Sequence, residues 1–416
     1  EEEFASTSRK KGNLAHLVRV IVFFQQIRVV WNMATKARIL PRSENGIKEA
    51  GRVLASGGLV AFPTETVYGL GANALNEAAV LRIFETKGRP LTDPLIVHVA
   101  SKEAALKLVQ LNEVAQRVFE RLTDVFWPGP LTLIASARPE LPDCLSAGTK
   151  TLGVRCPSHP LARKLLQVAA IPVAAPSANL FGHVSPTTAR HVLDDLGHTD
   201  IFILDGESIP HDDNDIQYDL GSCHYGIEST VCKLENDEQG LVVRIFRRGA
   251  VATSDLTAAL EEYNDVHVRD GIILSSSSEG SQPIKDDDNI QTPRVSPGQL
   301  LSHYAPRLPA VLTRLANDGI SQIDLSAAVI VDFNCRLAPL KTKVLAYRDI
   351  ASDGDAVKAA ACLFSTLRWA ENVPGAERVL IADLSSLRTG TDLLAGVADR
   401  LYRAASGKQL SLSSSP

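Results

Sequence analysis

From Gly58 to Val99 the chain reads GLVAFPTETVYGLGANALNEAAVLRIFETKGRPLTDPLIVHV, and this stretch decides the fold class. Leu59 to Phe62 is a short apolar run stopped by Pro63, as expected of a buried strand. Asn76 can cap a helix that carries Val80, Ile83 and Phe84 on one face and closes near Gly88. Leu95 to Val99 is another apolar strand, and Ser101 caps the next helix. Upstream, Ser43 caps a helix with Ile47, Ala50 and Leu54 on one face, ended by Gly57-Gly58. Downstream, strands are expected at Leu131 to Ala135, Leu152 to Arg155, Pro172 to Ala175, Ile201 to Leu204 and Thr230 to Leu234. Leu241 to Phe246 should pair with the last of these across a polar turn at 236–240. Many strands with interspersed helices predict an α/β, mixed-sheet domain over 44–255.

Composition changes after Leu274. Residues 275–291 are serine-rich and acidic without apolar periodicity and read as flexible linker, within a connection spanning 256–307. Order should return at Val295, because Ser296-Pro297-Gly298 and His303-Tyr304-Ala305-Pro306 are too specific for slack chain. Beyond Pro309, strands at Ala328 to Phe333, Val344 to Tyr347 and Val379 to Ala382 alternate with helices at Asp355 to Glu371 and Asp392 to Ala405. That order predicts a smaller Rossmann- or flavodoxin-like parallel sheet over 308–416. Its first strand lacks a G-x-G-x-x-G loop, so dinucleotide binding is not indicated.

The extension 1–43 is set aside from the fold. Between Phe4 and Ser43 it has no acidic residue, and with the apolar run Leu17 to Phe24 it loosely resembles a mitochondrial transit segment. That run is too short to span a bilayer. Met33 is the only methionine, so a start there would leave residues 1–32 upstream. The expectation is a cytoplasmic protein that does not engage membranes, with a mitochondrial pool if the extension acts as a leader. A net charge of −5 over 416 residues excludes a surface that grips nucleic acid everywhere, but not a local basic cleft. The six cysteines show neither C-x-x-C nor zinc spacing, and H-E-x-x-H, P-loop and G-x-S-x-G motifs are absent.

Four segments crowd polar or cationic side chains against strand ends. In the Pro63 to Gly71 stretch, alternation in an extended chain would turn the hydroxyls of Thr64 and Thr66 to one side; a threonine-rich turn is the plainer reading. In Lys87-Gly88-Arg89-Pro90, an extended chain would pair Lys87 with Arg89 for phosphates, although cations at a helix C-terminus also complement its dipole. Ser177 and Asn179 would share a face suited to phosphate or ribose, and Ser185 can cap a helix beginning at Pro186. Gly226 to Thr230, with Arg155 and Arg247, adds cations and hydroxyls at further strand ends. Singly these are surface charges and turns; jointly they suit an anionic ligand such as a nucleoside triphosphate.

PTETVYGLG, then KGRP and PLIVHV, resemble the YrdC-type domain of threonylcarbamoyladenylate synthases. Lys87-x-Arg89 and Ser177-x-Asn179 match that family's KxR and SxN signatures, and SPG…HYAP with the second α/β domain resembles its two-domain branch. Two stretches depart from the pattern: an acidic, His-containing insertion at about 208–219, and Gln299-Leu300-Leu301-Ser302 where a basic, aromatic stretch is usual. The resemblance implies a mixed twisted sheet with a basic cavity. It also implies a reaction of L-threonine, bicarbonate or carbon dioxide, and ATP to threonylcarbamoyl-AMP and pyrophosphate, with Mg²⁺ carried by the ATP phosphates and no protein metal ligand. The product would pass to a tRNA threonylcarbamoyl transferase; contact of this chain with tRNA itself is left open. Lys87 and Arg89 are then the catalytic cations. Thr64, Thr66, His98, Arg155, Ala175 and Ser229 fall on the threonine side. Thr151, Ser177, Asn179, Ser185, Arg247 and Tyr304 fall, with Lys87 and Arg89, on the nucleotide side. Residues 296–306 would form a lid carrying Tyr304. A non-catalytic RNA-binding module would show basic residues along a broad stripe rather than in ligand-sized motifs. A carbamoyl-transfer maturase of the same domain type would bring cysteine clusters, which this chain lacks.

Overall fold

The computed structural model describes residues 36–206, 223–238, 240–271, 294–298, 300–301, 303–316, 324–387 and 391–413. Residues 1–35 of the expected 1–43 extension, the 208–219 insertion, the 275–291 linker, Gln299 and Ser302 lie outside the described residues. The described end of that extension is not set apart from the fold, because Arg38–Leu40 pairs with Phe202–Leu204 in the first sheet.

The amino-terminal domain is built on strands β1 (Arg38–Leu40), β2 (Val60–Phe62), β3 (Gly69–Asn73), β4 (Ile96–His98), β5 (Val109–Gln110), β6 (Leu131–Ala137), β7 (Thr151–Arg155), β8 (Val173–Ala174), β9 (Phe202–Leu204), β10 (Thr230–Asp237), β11 (Gly240–Arg247) and β12 (Val266–Asp270). They join in the order β1-β9-β2-β3-β8-β4-β7-β6-β10-β11-β12, with β5 beside β6. Pairings are mixed: β4 and β7 run parallel, β6 and β7 antiparallel, and β10 pairs with β11 as a hairpin from Asp237 to Gly240. Helices α1 (Glu44–Ala55), α2 (Glu77–Lys87), α3 (Lys102–Leu106), α4 (Glu113–Phe126), α5 (Pro160–Ala169), α6 (Ala189–Leu196) and α7 (Thr253–Ala259) flank the sheet. Ser43, Asn76 and Ser101 cap α1, α2 and α3 through side-chain oxygens, as the sequence predicts.

Several expectations need correction. The first sheet runs on through β12, past the expected boundary at 255. The helix after Ser185 begins at Ala189 under a Thr188 cap, so Ser185 caps nothing; its hydroxyl donates to Glu228 instead. Gly88 adopts the left-handed conformation (φ 63°) that ends α2, so Lys87 and Arg89 are not alternate residues of an extended chain. The short strand expected at Val344 to Tyr347 forms at Ala346–Asp349. β3, reading GLGAN, gave no strand signal because it lacks β-branched residues. It exists because Gly71 lets neighbouring strands close in: a Cβ there would lie 2.8 Å from both Phe62 and Val173.

The carboxy-terminal domain is a parallel sheet of β13 (Ala310–Ala316), β14 (Ala328–Asp332), β15 (Ala346–Asp349), β16 (Arg378–Ala382) and β17 (Gln409–Ser413) in the order β15-β14-β16-β13-β17, with helices α8 (Ala356–Glu371) and α9 (Asp392–Ala404). Its apolar core does not stop at the domain edge. Val67, Val184 and Ile227 of the first domain and Tyr304 of the connection belong to the same cluster as Phe364, Leu367 and Leu401.

A buried ionic cluster fastens the two domains beside that core. Asp195 of α6 receives Arg368 of α8 at 2.8 Å and Arg307 at 3.1 Å. His183 bridges Asp195 (2.8 Å) and Glu371 (2.9 Å), and Glu371 also accepts the Arg307 backbone N–H at 2.8 Å. Burial disfavours the charged form of His183, but its bonds to the two carboxylates outweigh burial and raise its pKa above the ordinary value. Burial likewise opposes ionisation of Asp195, yet hydrogen bonds from His183 and Arg368 hold its carboxyl well below the usual range.

The signs of these shifts set a pH window. A raised histidine contributes stability below its unfolded value of about 6.5, and loses it as pH rises through the higher folded value. A depressed carboxylate contributes above its unfolded value of about 3.9, and loses it only in strong acid. Arg368, Arg307 and Glu371 face the same cluster; burial opposes ionisation of Glu371, but its bonds to His183 and to the Arg307 backbone hold it below the ordinary value. His183→Gln should therefore lower the melting temperature most between about pH 5 and 6.5, with the gap to the parent closing as pH rises. A gap that widens towards alkaline pH contradicts this assignment.

A buried cationic cavity as the candidate active site

His98, Arg155 and Arg247 are the last residues of β4, β7 and β11, and Ser229 immediately precedes β10. The registers His98↔Arg155 and Val231↔Arg247, with β10 parallel to β6 and β6 antiparallel to β7, bring these four to one end of the sheet. The β2–β3 turn contributes Thr64 and Thr66, the segment after β8 contributes Ala175 and Ser177, and the connection contributes Gly298, His303 and Tyr304. With Arg89 they line one pocket.

The first domain supplies most of the cavity wall and holds it through buried bonds. Glu65, fully buried, pairs with Arg155 at 2.7 Å, and the same guanidinium donates to Thr66 Oγ1 at 3.0 Å and to the Gly129 carbonyl at 3.3 Å. Burial would raise the Glu65 pKa, but Arg155 and its hydrogen bonds bring it below the ordinary value. Thr64 and Thr66 bond each other at 2.8 Å, and Thr64 also donates to the Val67 carbonyl, so the threonine turn and the shared hydroxyl face are one structure. Burial, then the nearby Arg155 charge, lower His98 to about 3, so its imidazole is neutral; its Nδ1 has no hydrogen-bond partner among the described residues.

In the same wall, Arg247 donates to both Oγ and the carbonyl of Ser229, and Ser229 Oγ shares a 2.8 Å bond with Thr132. Arg89 is held by Asp93 at 3.1 Å and by the Asp93 and Pro94 carbonyls. Tyr304, with φ 63° and 1 % exposure, stacks on Phe364 at 5.4 Å, and burial pushes its hydroxyl up to about 12, so it remains a donor.

Four of the sequence-derived site residues do not reach the cavity wall. Lys87 Nζ is spent on the carbonyls of Ser177 (2.6 Å) and Asn179, and burial, then the Arg89 charge, push its pKa well below the ordinary value. Lys87 therefore shapes the loop that presents Ser177. The Asn179 amide turns inward to the Leu180 and His183 carbonyls rather than sharing the Ser177 face. Thr151 starts β7, at the opposite end of that strand from Arg155, and bonds Thr149 at 2.9 Å. Ser185 lies one residue behind the wall, bonded to the lining residue Glu228 at 2.6 Å. Sequence reasoning assigned no role to Glu65 or Glu228, although both stand inside motifs that it quoted. A carboxylate amid cations was the available signal.

Gly298 fixes how closely the connection can approach. Its φ of +84° disfavours an L side chain, and a Cβ there would meet the Tyr304 hydroxyl at 2.9 Å. Gly298→Ala should cost about 1–2 kcal/mol in backbone strain and dislodge Tyr304. Hydrogen exchange should report it as faster loss of the Ala305 amide, which donates to the Gly182 carbonyl at 2.9 Å; unchanged exchange there speaks against a strap seated by this contact.

Comparison with known proteins agrees with this architecture. Residues 52–249 match the Sua5/YciO/YrdC family, described as "Telomere recombination", and residues 253–406 match "Threonylcarbamoyl-AMP synthase, C-terminal domain". A Bacillus subtilis threonylcarbamoyl-AMP synthase is 37 % identical over 274 residues, covering 66 % of this chain and 68 % of the relative. The Pyrococcus abyssi threonylcarbamoyl-AMP synthase is 36 % identical over 277 residues, covering 66 % and 69 %. A solved P. abyssi Sua5 variant superposes with a TM-score of 0.68 at 27 % identity, covering 91 % of this chain and 98 % of its own. The P. abyssi Sua5 complexed with L-threonine gives 0.65 at 26 % identity, covering 90 % and 99 %. The chain belongs to the threonylcarbamoyl-AMP synthase family and shares its two-domain architecture.

Proposed function

We propose that this enzyme forms threonylcarbamoyl-AMP and pyrophosphate from L-threonine, bicarbonate or carbon dioxide, and ATP, as a nucleotidyltransferase serving tRNA modification. One observation carries the reading: three buried guanidinium groups, Arg89, Arg155 and Arg247, line a single cavity with the hydroxyls of Thr66, Ser177 and Ser229. Arg155, already braced by Glu65, suits the carboxylate of threonine, and its neighbour Thr66 suits the hydroxyl. The neutral imidazole of His98, with an unpartnered ring nitrogen, suits the amine as an acceptor. Arg89, Ser177 and Arg247 suit the phosphates.

The neutral threonine amine takes up carbon dioxide and releases one proton to give a carbamate; from bicarbonate, that proton leaves with the bicarbonate hydroxyl as water instead. The carbamate oxygen bonds the α-phosphorus of ATP while the bond to the β-phosphoryl oxygen breaks, releasing pyrophosphate. Carbamate and triphosphate are both anions, so their approach requires charge neutralisation, and a dry cationic cavity supplies it without reorganisation. The product anhydride is prone to hydrolysis, and the buried Tyr304 strap would exclude water from it.

Magnesium is best placed on the substrate. Among the described residues no group of three His, Cys, Asp or Glu side chains could hold a metal ion, and the lining carboxylate Glu228 is already engaged by Ser185 and Arg400. Mg²⁺ would enter as MgATP. No helix among the described residues is long and apolar enough to cross a membrane. Transfer of the product to a tRNA-modifying transferase remains part of this proposal.

Arg89→Ala should abolish most threonine- and bicarbonate-dependent pyrophosphate release by removing charge where the anions meet. Lys87→Ala should do so by releasing the Ser177 loop. Near-parental turnover of either well-folded variant would sink the role given to it.

Threonine should be favoured over valine by up to about 10⁴–10⁵, because valine leaves buried hydroxyl partners unpaired. Serine should lose only about 10–200-fold, because it lacks one methyl. Comparable pyrophosphate release with valine would contradict a hydroxyl-reading site.

A further inference from the structure

We propose that Arg400 of the carboxy-terminal domain is a positioning residue that neutralises Glu228 at the cavity wall and thereby sets the nucleotide end of the site. The inference rests on the proposed function for the identity of the ligand, but not for the geometry.

Arg400 lies in the middle of α9 and is fully buried. Its Nη1 donates to the carbonyl of Arg248 at 2.6 Å and to that of Gly396 at 3.3 Å, while its Nε faces Glu228 Oε2 at 3.3 Å. The guanidinium also sits 5.9 Å from the centre of the Tyr304 ring. Each contact outside its own helix leads to the cavity. Arg248 follows Arg247, Glu228 precedes Ser229, and Tyr304, Arg247, Glu228 and Ser229 all line the wall. The other oxygen of Glu228 accepts the Ser185 hydroxyl at 2.6 Å.

Charge explains why such a residue is needed. Among the described lining residues Glu228 is the one carboxylate, in a wall whose proposed ligand is a polyanion. Uncompensated, it would repel the phosphates; paired with Arg400, it becomes a neutral anchor that orients Ser185. Arg400 does not itself line the cavity, so its influence passes through Glu228 and Tyr304. Among the described residues none beyond Tyr304 lines the cavity, which makes this contact a direct route from the second domain to the site.

The test is equilibrium binding of ATP and, separately, of threonine to the full chain, with no turnover required. Arg400→Gln should raise the ATP Kd roughly 10- to 100-fold, the range for losing a hydrogen bond to a charged group, and leave the threonine Kd within about threefold. Adding Glu228→Gln to that variant should recover most of the ATP affinity, because the unpaired charge is removed with its partner; a purely structural role for Arg400 would give no such recovery. Arg400→Lys should show a smaller, still ATP-selective loss, and it serves as the test if the glutamine variant does not fold. An unchanged ATP Kd, an equal loss for both ligands, or a double variant no better than the single one overturns the proposal. If the parent binds ATP but releases no pyrophosphate with threonine, the proposed reaction fails while the positioning role stands or falls on the Kd values. If the parent binds no ATP, both fall.

Discussion

Taking four cations out of water is the constraint from which the rest of this structure follows. Lys87, Arg89, Arg155 and Arg247 are each less than a tenth exposed, and a buried charge without partners costs several kcal/mol. Each therefore dictates a piece of backbone. Lys87 pulls the Ser177 and Asn179 carbonyls onto its ammonium, Arg89 gathers Asp93 and Pro94, Arg155 locks Glu65 and the β2–β3 turn, and Arg247 holds Ser229. The loops of the cavity are thus shaped by the charges they surround. The guanidinium forks still present cationic surface to a ligand, while the point charge of Lys87 is used up inside the wall.

The second domain completes this enclosure without entering it. Phe364 stacks on Tyr304, Glu371 takes the backbone N–H of Arg307, and Arg368 reaches across to Asp195 and the Val184 carbonyl. These contacts bracket the segment 303–307 on both sides, and His183 pairs with Ala305 from the first domain. The strap is accordingly held by two bodies at once.

Much of this was legible in the sequence, and the exceptions have physical reasons. Capped helices and apolar strands, such as Asn76 before α2 or the run at β4, follow from local chemistry and were readable. A strand such as β3, reading GLGAN, owes its existence to neighbours rather than to its own residues, whereas β12 carries alternating Val266 and Val268 but falls inside the stretch read as connection. The density of Thr, Ser, Lys and Arg at strand ends marked the cavity, yet which of them face it depended on backbone turns. Gly88 in the left-handed region sends Lys87 away from the wall, and the Asn179 amide satisfies carbonyls of its own loop. Arg400 gave no signal at all. In sequence it is one more cation on an amphipathic helix, and only the packing of α9 against Arg248 and Glu228 makes it distinctive.

The contact between the domains combines a shared apolar cluster, to which Val67, Val184, Ile227 and Tyr304 belong with Phe364, Leu367 and Leu401, with a buried ionic cluster. Parting the apolar portion exposes its surface to water, at about 25 cal/mol for each Å². Ion pairs behave differently: Asp195, Arg368, His183 and Glu371 lose their mutual attraction on separation but regain hydration, so the net cost of parting them is small. Removing a single partner is far costlier than separating them all, because the remaining charges stay buried and unpaired. Such a cluster resists displacement by half measures, and with the apolar core beside it holds the strap at Tyr304 between the two domains.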